Sequence, residues 1–236
     1  MIKQKVFLGL IFTIILTTGH AQKSVNQYDK NGERHGIWTK DYDGTDQKRY
    51  EGQFNHGKEI GTFNYYKLKN GKSVLSATKV FNETNNIANV TFYTSAKKIV
   101  SKGQMNQKKF IGKWIYYHKN SDKVMIEEHY NNQGELDGVK TVYYENGKVA
   151  EETPYKNGKL NGEAKWYTKA NQFIRTTFYL NGERNGQTTN YDGKGNKASE
   201  GLYKGDKKTG VWKYYKEGTL VKKIDHTNQK VIFNKD

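Results

Sequence analysis

The chain has 236 residues, 34% of them hydrophobic and 14% aromatic, with 24 glycines, 18 tyrosines, one proline and a formal charge of +16. So poor in aliphatic residues, it cannot fill a large aliphatic core, and what it packs must be largely aromatic. It has no cysteine, which excludes disulfides, a thiolate zinc site and a cysteine nucleophile, while the positive excess favours anionic partners: phosphorylated or carboxylated polymers, lipid headgroups or acidic proteins.

The first segment reads as a leader. Lys3 and Lys5 give a basic start, Val6 to Leu16 is an apolar run, and Gly19-His20-Ala21 places small residues where a signal peptidase inspects the chain. Residues 1–21 are therefore expected to be a signal peptide cleaved after Ala21, and the protein to be exported from a bacterial cell to the periplasm, cell surface or medium. Retention as an uncleaved anchor is the alternative, although the apolar run falls short of the roughly 20 residues a spanning helix needs. No cysteine follows the cut, so lipid attachment there is excluded. Cleavage takes two lysines away, so the charge becomes +16 − 2 = +14. Nucleic acid is not an expected partner of an exported protein, whereas peripheral contact with a membrane is compatible with the charge.

Residues 22–236 read as one repeat domain. The glycine before each aromatic run serves as an anchor: Gly36, Gly61, Gly112, Gly138, Gly162, Gly186 and Gly210, at separations of 25, 51, 26, 24, 24 and 24 residues. The long gap is two periods, and a degenerate copy centred on Ile87 fills it, giving eight copies. Aromatic residues recur two after the anchor, at Trp38, Phe63, Trp114 and Trp212, and five after it, at Tyr66, Tyr117, Tyr143, Tyr167, Tyr191 and Tyr215. On a strand of period two these offsets point to opposite faces, and offset four, with Tyr65, Tyr116, Trp166 and Tyr214, shares the first face. A turn such as "ENGK" at Glu145–Lys148 follows, then a second strand-like run such as "KVAEETPY" at Lys148–Tyr155, then an Asn-Gly pair that suits a tight hairpin. Each copy is thus strand, turn, strand, turn. The glycines lack the following helix and Lys-Ser/Thr of a phosphate-binding loop, and are turn punctuation.

The expected fold is all-β: an elongated single-layer antiparallel β-meander of about eight hairpin repeats of ~24 residues, free to curl, each copy touching only its neighbours. The tail, residues 219–233, adds two short runs around Asn228 that read as a capping hairpin on the open edge. Its lysines, Lys222, Lys223, Lys230 and Lys235, suit an edge that must not aggregate.

The motifs "YKNGKLNGEAKWY", Tyr155 to Tyr167, and "YKGDKKTGVWKYY", Tyr203 to Tyr215, resemble MORN repeats, specifically the variant of bacterial antitoxin-like proteins. The resemblance extends from about Tyr28 to Leu220. It implies a repeat fold, and roles ranging from scaffolding and membrane association to toxin neutralisation.

Two sets of residues are of a type that could carry chemistry. The carboxylate pairs Glu127-Glu128 and Glu151-Glu152 are split between faces. Glu127 and Glu151, each eleven before an anchor, would share a face two strands apart, roughly 9.6 Å, beyond the ~5 to 5.5 Å of a retaining glycosidase. Glu128, Glu152 and Glu200 all stand ten before an anchor, which makes that glutamate part of the repeat. The histidines His35, His56, His118, His129 and His226 occupy unrelated offsets, without the pairings typical of metal ligands. No enzyme, metal or cofactor is expected.

What remains is an aromatic ladder as the candidate binding surface: Trp38, Phe63, Trp114, Trp166, Trp212, Tyr117, Tyr143, Tyr167, Tyr191 and Tyr215, bordered by Lys40, Lys113, Lys165 and Lys213. Its bland alternative is that these rings pack across strands as the only core the sheet has. The expected function is that of an exported non-enzymatic module binding a protein partner or an anionic envelope polymer through its sheet. The alternative is an antitoxin or immunity protein for one cognate toxin.

Overall fold

The computed structural model describes residues 24–235, and the leader with its expected cleavage after Ala21 lies outside them. The described residues form nineteen strands and no helix. The first seven are β1 (Gln27–Tyr28), β2 (Arg34–Asp41), β3 (Lys48–Asn55), β4 (Lys58–Lys69), β5 (Lys72–Phe81), β6 (Ile87–Tyr93) and β7 (Ile99–Asn106). There follow β8 (Lys109–Tyr117), β9 (Val124–Tyr130), β10 (Gly138–Tyr143), β11 (Val149–Lys156), β12 (Lys159–Leu160) and β13 (Gly162–Tyr167). The last six are β14 (Phe173–Leu180), β15 (Glu183–Tyr191), β16 (Lys197–Lys204), β17 (Lys207–Lys216), β18 (Thr219–Asp225) and β19 (Lys230–Asn234).

Each strand pairs antiparallel with the next in sequence, β12 and β13 both pairing with β11, so the chain is a meander in a single open sheet. The Asn-Gly pairs act as expected: Asn157-Gly158, with φ of 48° and 76°, closes the two-residue hairpin in which Lys156 faces Lys159. The tail forms the hairpin of β18 and β19.

All seven anchor glycines have positive φ, from 62° to 128°. Gly61, Gly112, Gly186 and Gly210 sit in bulges where three residues of the anchor strand oppose one of the strand before, and at Gly138 and Gly162 four oppose two. Between Glu51↔Asn64 and Gln53↔Ile60, for example, Gly61-Thr62-Phe63 stand against Gly52 alone. Two extra residues keep the period-two alternation in phase while bending the strand.

The bulge also explains the core. A Cβ on Gly52, Gly103 or Gly201 would meet the ring of Phe63, Trp114 or Trp212 at 2.3, 2.5 and 2.4 Å respectively, so each ring lies flat on a glycine of the neighbouring strand. The indole N–H groups of Trp114 and Trp212 donate to the carbonyls of Gln104 (2.9 Å) and Leu202 (3.0 Å), so burial leaves no donor unpaired. All three rings are almost completely buried, at 1% or less of relative exposure.

The degenerate copy needs one correction. Its register aligns Ala88, not Ile87, with the anchors, because Phe81 pairs with both Gly61 and Ala88. Val90 then takes the offset-two place and Tyr93 the offset-five place. The β5–β6 ladder runs without a bulge, which removes the need for glycine. Buried Ala88, Val90 and Met105 pack against Trp114 there, with Phe81, Phe92 and Phe110 around them.

Candidate functional site

The aromatic ladder read from the sequence divides between two faces of different chemistry. On one, the offset-five tyrosines meet a row of residues that runs without a break through adjacent strands: Glu51↔Asn64↔Thr78↔Thr91↔Lys102↔Ile115↔Glu127↔Thr141↔Glu152↔Lys165↔Thr176↔Thr189↔Glu200↔Lys213. Tyr66 donates to Glu51 (2.6 Å), Tyr167 to Glu152 (2.9 Å) and Tyr215 to Glu200 (2.7 Å). Tyr93 reaches Thr78 at 3.3 Å, and Lys102 sits 5.8 Å from the Tyr117 ring centre. Burial, followed by the charge of Glu127, raises the Tyr143 phenol above the ordinary range. Phe173 stacks between Tyr167 and Tyr191, at 5.0 and 5.5 Å. Burial, then the bond to the carboxylate, pushes Tyr66 and Tyr167 up to about 12.

Cations pair with carboxylates on this face, although Glu152 and Lys102 have no ion pair among the described residues. Lys113 pairs with Glu127 at 2.9 Å, Lys197 and Lys213 with Glu200 at 2.8 and 3.6 Å, Lys165 with Glu163 at 3.4 Å, and Lys48 with Glu51. The bond from Lys48, followed by that from Tyr66, holds Glu51 below the usual carboxylate range, and Lys197 and Tyr215 do the same for Glu200. Lys113, Lys165 and Lys213, expected beside the tryptophans, therefore lie on the opposite face, and of the four lysines Lys40 alone shares the indole face, level with Tyr50 and Tyr65.

The indole face carries Trp38, Phe63, Trp114, Trp166 and Trp212. Phe63, Trp114 and Trp212 are buried and present no ring surface, whereas Trp38 and Trp166 are half-buried. A further aromatic row lies level with the anchors: Phe54 opposite Gly36, Tyr130 opposite Gly112, Tyr155 opposite Gly138, Tyr179 opposite Gly162 and Tyr203 opposite Gly186. The sequence announces it, since a tyrosine opens each of the quoted motifs seven residues before its anchor.

Several cations on this face sit over rings, although Lys140 pairs with Glu128 at 3.7 Å. The Arg34 guanidinium is 4.4 Å from the Phe54 ring centre, Arg175 is 4.0 Å from Trp166, and Lys208 is 4.0 Å from Trp212. Lys79 lies 5.6 Å from Tyr65. Among the described residues, none of these four cations, nor Lys40 or Lys222, has a carboxylate within 4.0 Å. Arg175 Nε is buried without a hydrogen-bond partner. Arg184, over Tyr203 at 4.2 Å, differs in pairing with Asp206.

The carboxylates need reassignment. Glu127 and Glu152 both face Thr141, so these two share the tyrosine face two strands apart, while Glu151 faces Trp166 on the other side. Glu128 is level with Trp114 and bonds Tyr130 at 2.7 Å. The repeat glutamate of that copy is therefore Glu127, not Glu128, because the stretch from Tyr130 to Gly138 is one residue longer than that from Tyr155 to Gly162.

The fold also brings together Asp29, Glu33 and His56, whose ligand atoms lie within 4.8 Å of one another although 27 residues separate Asp29 from His56. Asp29 already accepts from His56 Nδ1 (2.5 Å) and from the backbone N–H groups of Asn31 and Glu33 (2.8 and 2.9 Å). Asn131 and Asn157 make the same turn-to-turn contact in a later copy, at 3.5 Å, which gives the cluster a structural role.

No known family model matches the chain, and no curated protein does. The likeness to MORN repeats rests on the quoted motifs.

Proposed function

We propose that this protein is an exported, non-enzymatic module that holds an anionic polymer of the cell envelope along its indole face. The observation that carries the reading is a contrast among cations: on the tyrosine face Lys113, Lys197 and Lys213 pair with Glu127 and Glu200, whereas on the indole face Arg34, Arg175 and Lys208 lie over rings with no carboxylate within 4.0 Å among the described residues. A cation over a ring keeps its charge, and the ring fixes its position and screens it from water on one side. Repeated along the sheet, such pairs suit carboxylate or phosphate groups spaced along a chain, with half-buried Trp38 and Trp166 as platforms for the groups between.

The test titrates the leaderless chain with polygalacturonate and with polyphosphate across a salt series. Exposed charges are screened over about 8 Å at physiological salt, so each cation adds a nearly independent increment and affinity falls steeply with salt. The combined change Arg34→Gln, Arg175→Gln and Lys208→Gln is expected to weaken binding by about tenfold or more, and Lys113→Gln with Lys213→Gln to leave it nearly unchanged. The reverse ranking would move the site to the tyrosine face. Salt-insensitive binding to a single protein would replace the polymer reading with the immunity reading.

A further inference from the structure

The two edges of the sheet are finished differently. At the first, β1 is two residues long and the segment before it folds back on β2: Val25 bridges Ile37, Asn26 N–H donates to the Ile37 carbonyl at 2.8 Å, and the Asn26 side chain accepts from Thr39 N–H at 2.9 Å. At the other, β19 pairs, among the described residues, with β18 alone, and all five of its residues are exposed. Three of them in succession are large and apolar, Val231, Ile232 and Phe233, at 50%, 49% and 38% exposure. An exposed apolar edge of this kind offers unpaired backbone groups to an incoming strand.

Charge decides which strand. The hairpin from Thr219 to Lys235 holds Lys222, Lys223, Lys230 and Lys235 against one carboxylate, Asp225. That carboxylate is occupied by Thr227 N–H, Asn228 N–H and the Asn228 side-chain amide, at 2.9, 3.2 and 2.8 Å. Lys222, Lys223 and Lys230 have no carboxylate within 4.0 Å among the described residues. His226 adds no compensating negative charge, and burial together with the charge of Lys208 pushes its imidazole below the ordinary range. Pairing with a second copy would set two such lysine groups against each other, so these residues blunt self-association while leaving the apolar centre open.

We propose that β19 is a docking edge for an extended segment of another protein in which acidic and apolar residues alternate, added to the sheet as a further antiparallel strand. Main-chain hydrogen bonds to β19 would hold it, its apolar side chains would cover Val231 on one face, and its carboxylates would meet Lys223 and Lys230 on the other. Val231 is level with Ile224, whereas Lys230 and Phe233 are level with Asp225 and Lys223 on the opposite face, so an alternating strand sets its apolar side against Val231 and its acidic side against the lysines. The edge and the indole face are separate surfaces, and the proposal stands whether or not the face binds polymer.

The experiment uses the leaderless full chain with a ten-residue peptide alternating Glu and Val, its counterpart alternating Lys and Val, and a Glu/Ser control. Fluorescence anisotropy gives affinity and hydrogen exchange gives location. The Glu/Val peptide is expected to bind and to protect amides of Lys230–Asn234, and the other two to bind at least tenfold more weakly. Lys223→Glu with Lys230→Glu should reverse the preference between the acidic and basic peptides, with the melting temperature as a check that the edge hairpin remains folded. Val231→Ser should weaken both. Binding with protection spread over other strands, equal binding of all three peptides, or no binding would each overturn the proposal. Protection of β19 that rises with protein concentration and without peptide would overturn it in favour of a second copy as the occupant.

Discussion

Gly201 and Trp212 share one level of the sheet, and each explains the other: the indole lies where a Cβ on Gly201 would come within 2.4 Å of the ring. Where offset two holds a small residue the neighbour is no longer glycine, as with Thr177 and Thr188, whose hydroxyls bond at 3.3 Å. Gly201→Ala is therefore expected to cost about 1 to 3 kcal/mol, the usual range for overpacking a tight core. In a Trp212→Thr background the same change should cost far less, giving a coupling of about 1 kcal/mol or more in a urea-denaturation cycle. Additive effects would mean the ring does not rest on the glycine. The anchors rest on backbone geometry instead. Gly186 has φ of 128°, and a Cβ there would sit 3.0 Å from Phe178 Cβ. Gly186→Val should cost about 1 to 3 kcal/mol or more, whereas Ile87→Val, at a position without positive φ, should stay near 0.5 to 1.5 kcal/mol. Equal shifts in melting temperature would contradict the register that sets Ile87 outside the bulge pattern.

At the scale of the strand pair, the tyrosine hydroxyls bound to Glu51, Glu152 and Glu200 link three anchor strands, β4, β13 and β17, to the paired strands before them. Glu51 and Glu200 are held below their ordinary value of 4.5. Groups depressed on folding stabilise the native state above the unfolded value and lose that contribution as pH falls through the folded one. Tyr66 and Tyr167 are raised from 10.0 to about 12, so their contribution is complete below pH 10 and is lost as pH rises towards 12. A titration following tyrosinate absorbance and circular dichroism together should find these phenols ionising late, near the loss of sheet signal. A midpoint of about 10 for every tyrosine, with the sheet intact, would contradict the ladder. Much of this was legible in the sequence, because Asn-Gly pairs and aromatic offsets are local and period two assigns faces. The bulges were not, since three residues opposing one is a property of two strands together, and the glycines under the indoles were hidden with them. Counting from the anchor misplaced the glutamate at Glu127, because it assumes loops of constant length.

Along the sheet, a residue row passing from Thr39 in β2 to Phe233 in β19 marks a stack of successive strands with no second layer behind it among the described residues. At about 4.8 Å per strand the stack reaches roughly 75 Å before twist and coiling shorten it. Small-angle scattering of the leaderless chain should give a radius of gyration above the ~17 Å expected of a compact domain of that length. A compact value would require the sheet to close on itself, which the unpaired edge at β19 opposes. Stability should follow the same linear logic, because each copy touches only its neighbours and the free energy becomes a sum of repeat and interface contributions. A chain ending at Asn181 keeps the core around Trp114 but loses Trp212 and its glycine, and it exposes β14, whose Phe173, Ile174 and Phe178 are already 37%, 44% and 45% exposed in the whole protein. That chain is expected to remain folded, with a lower denaturant slope in proportion to the surface lost, and to associate through its uncovered edge. Complete unfolding of the truncated chain would show one cooperative unit and would overturn the nearest-neighbour description.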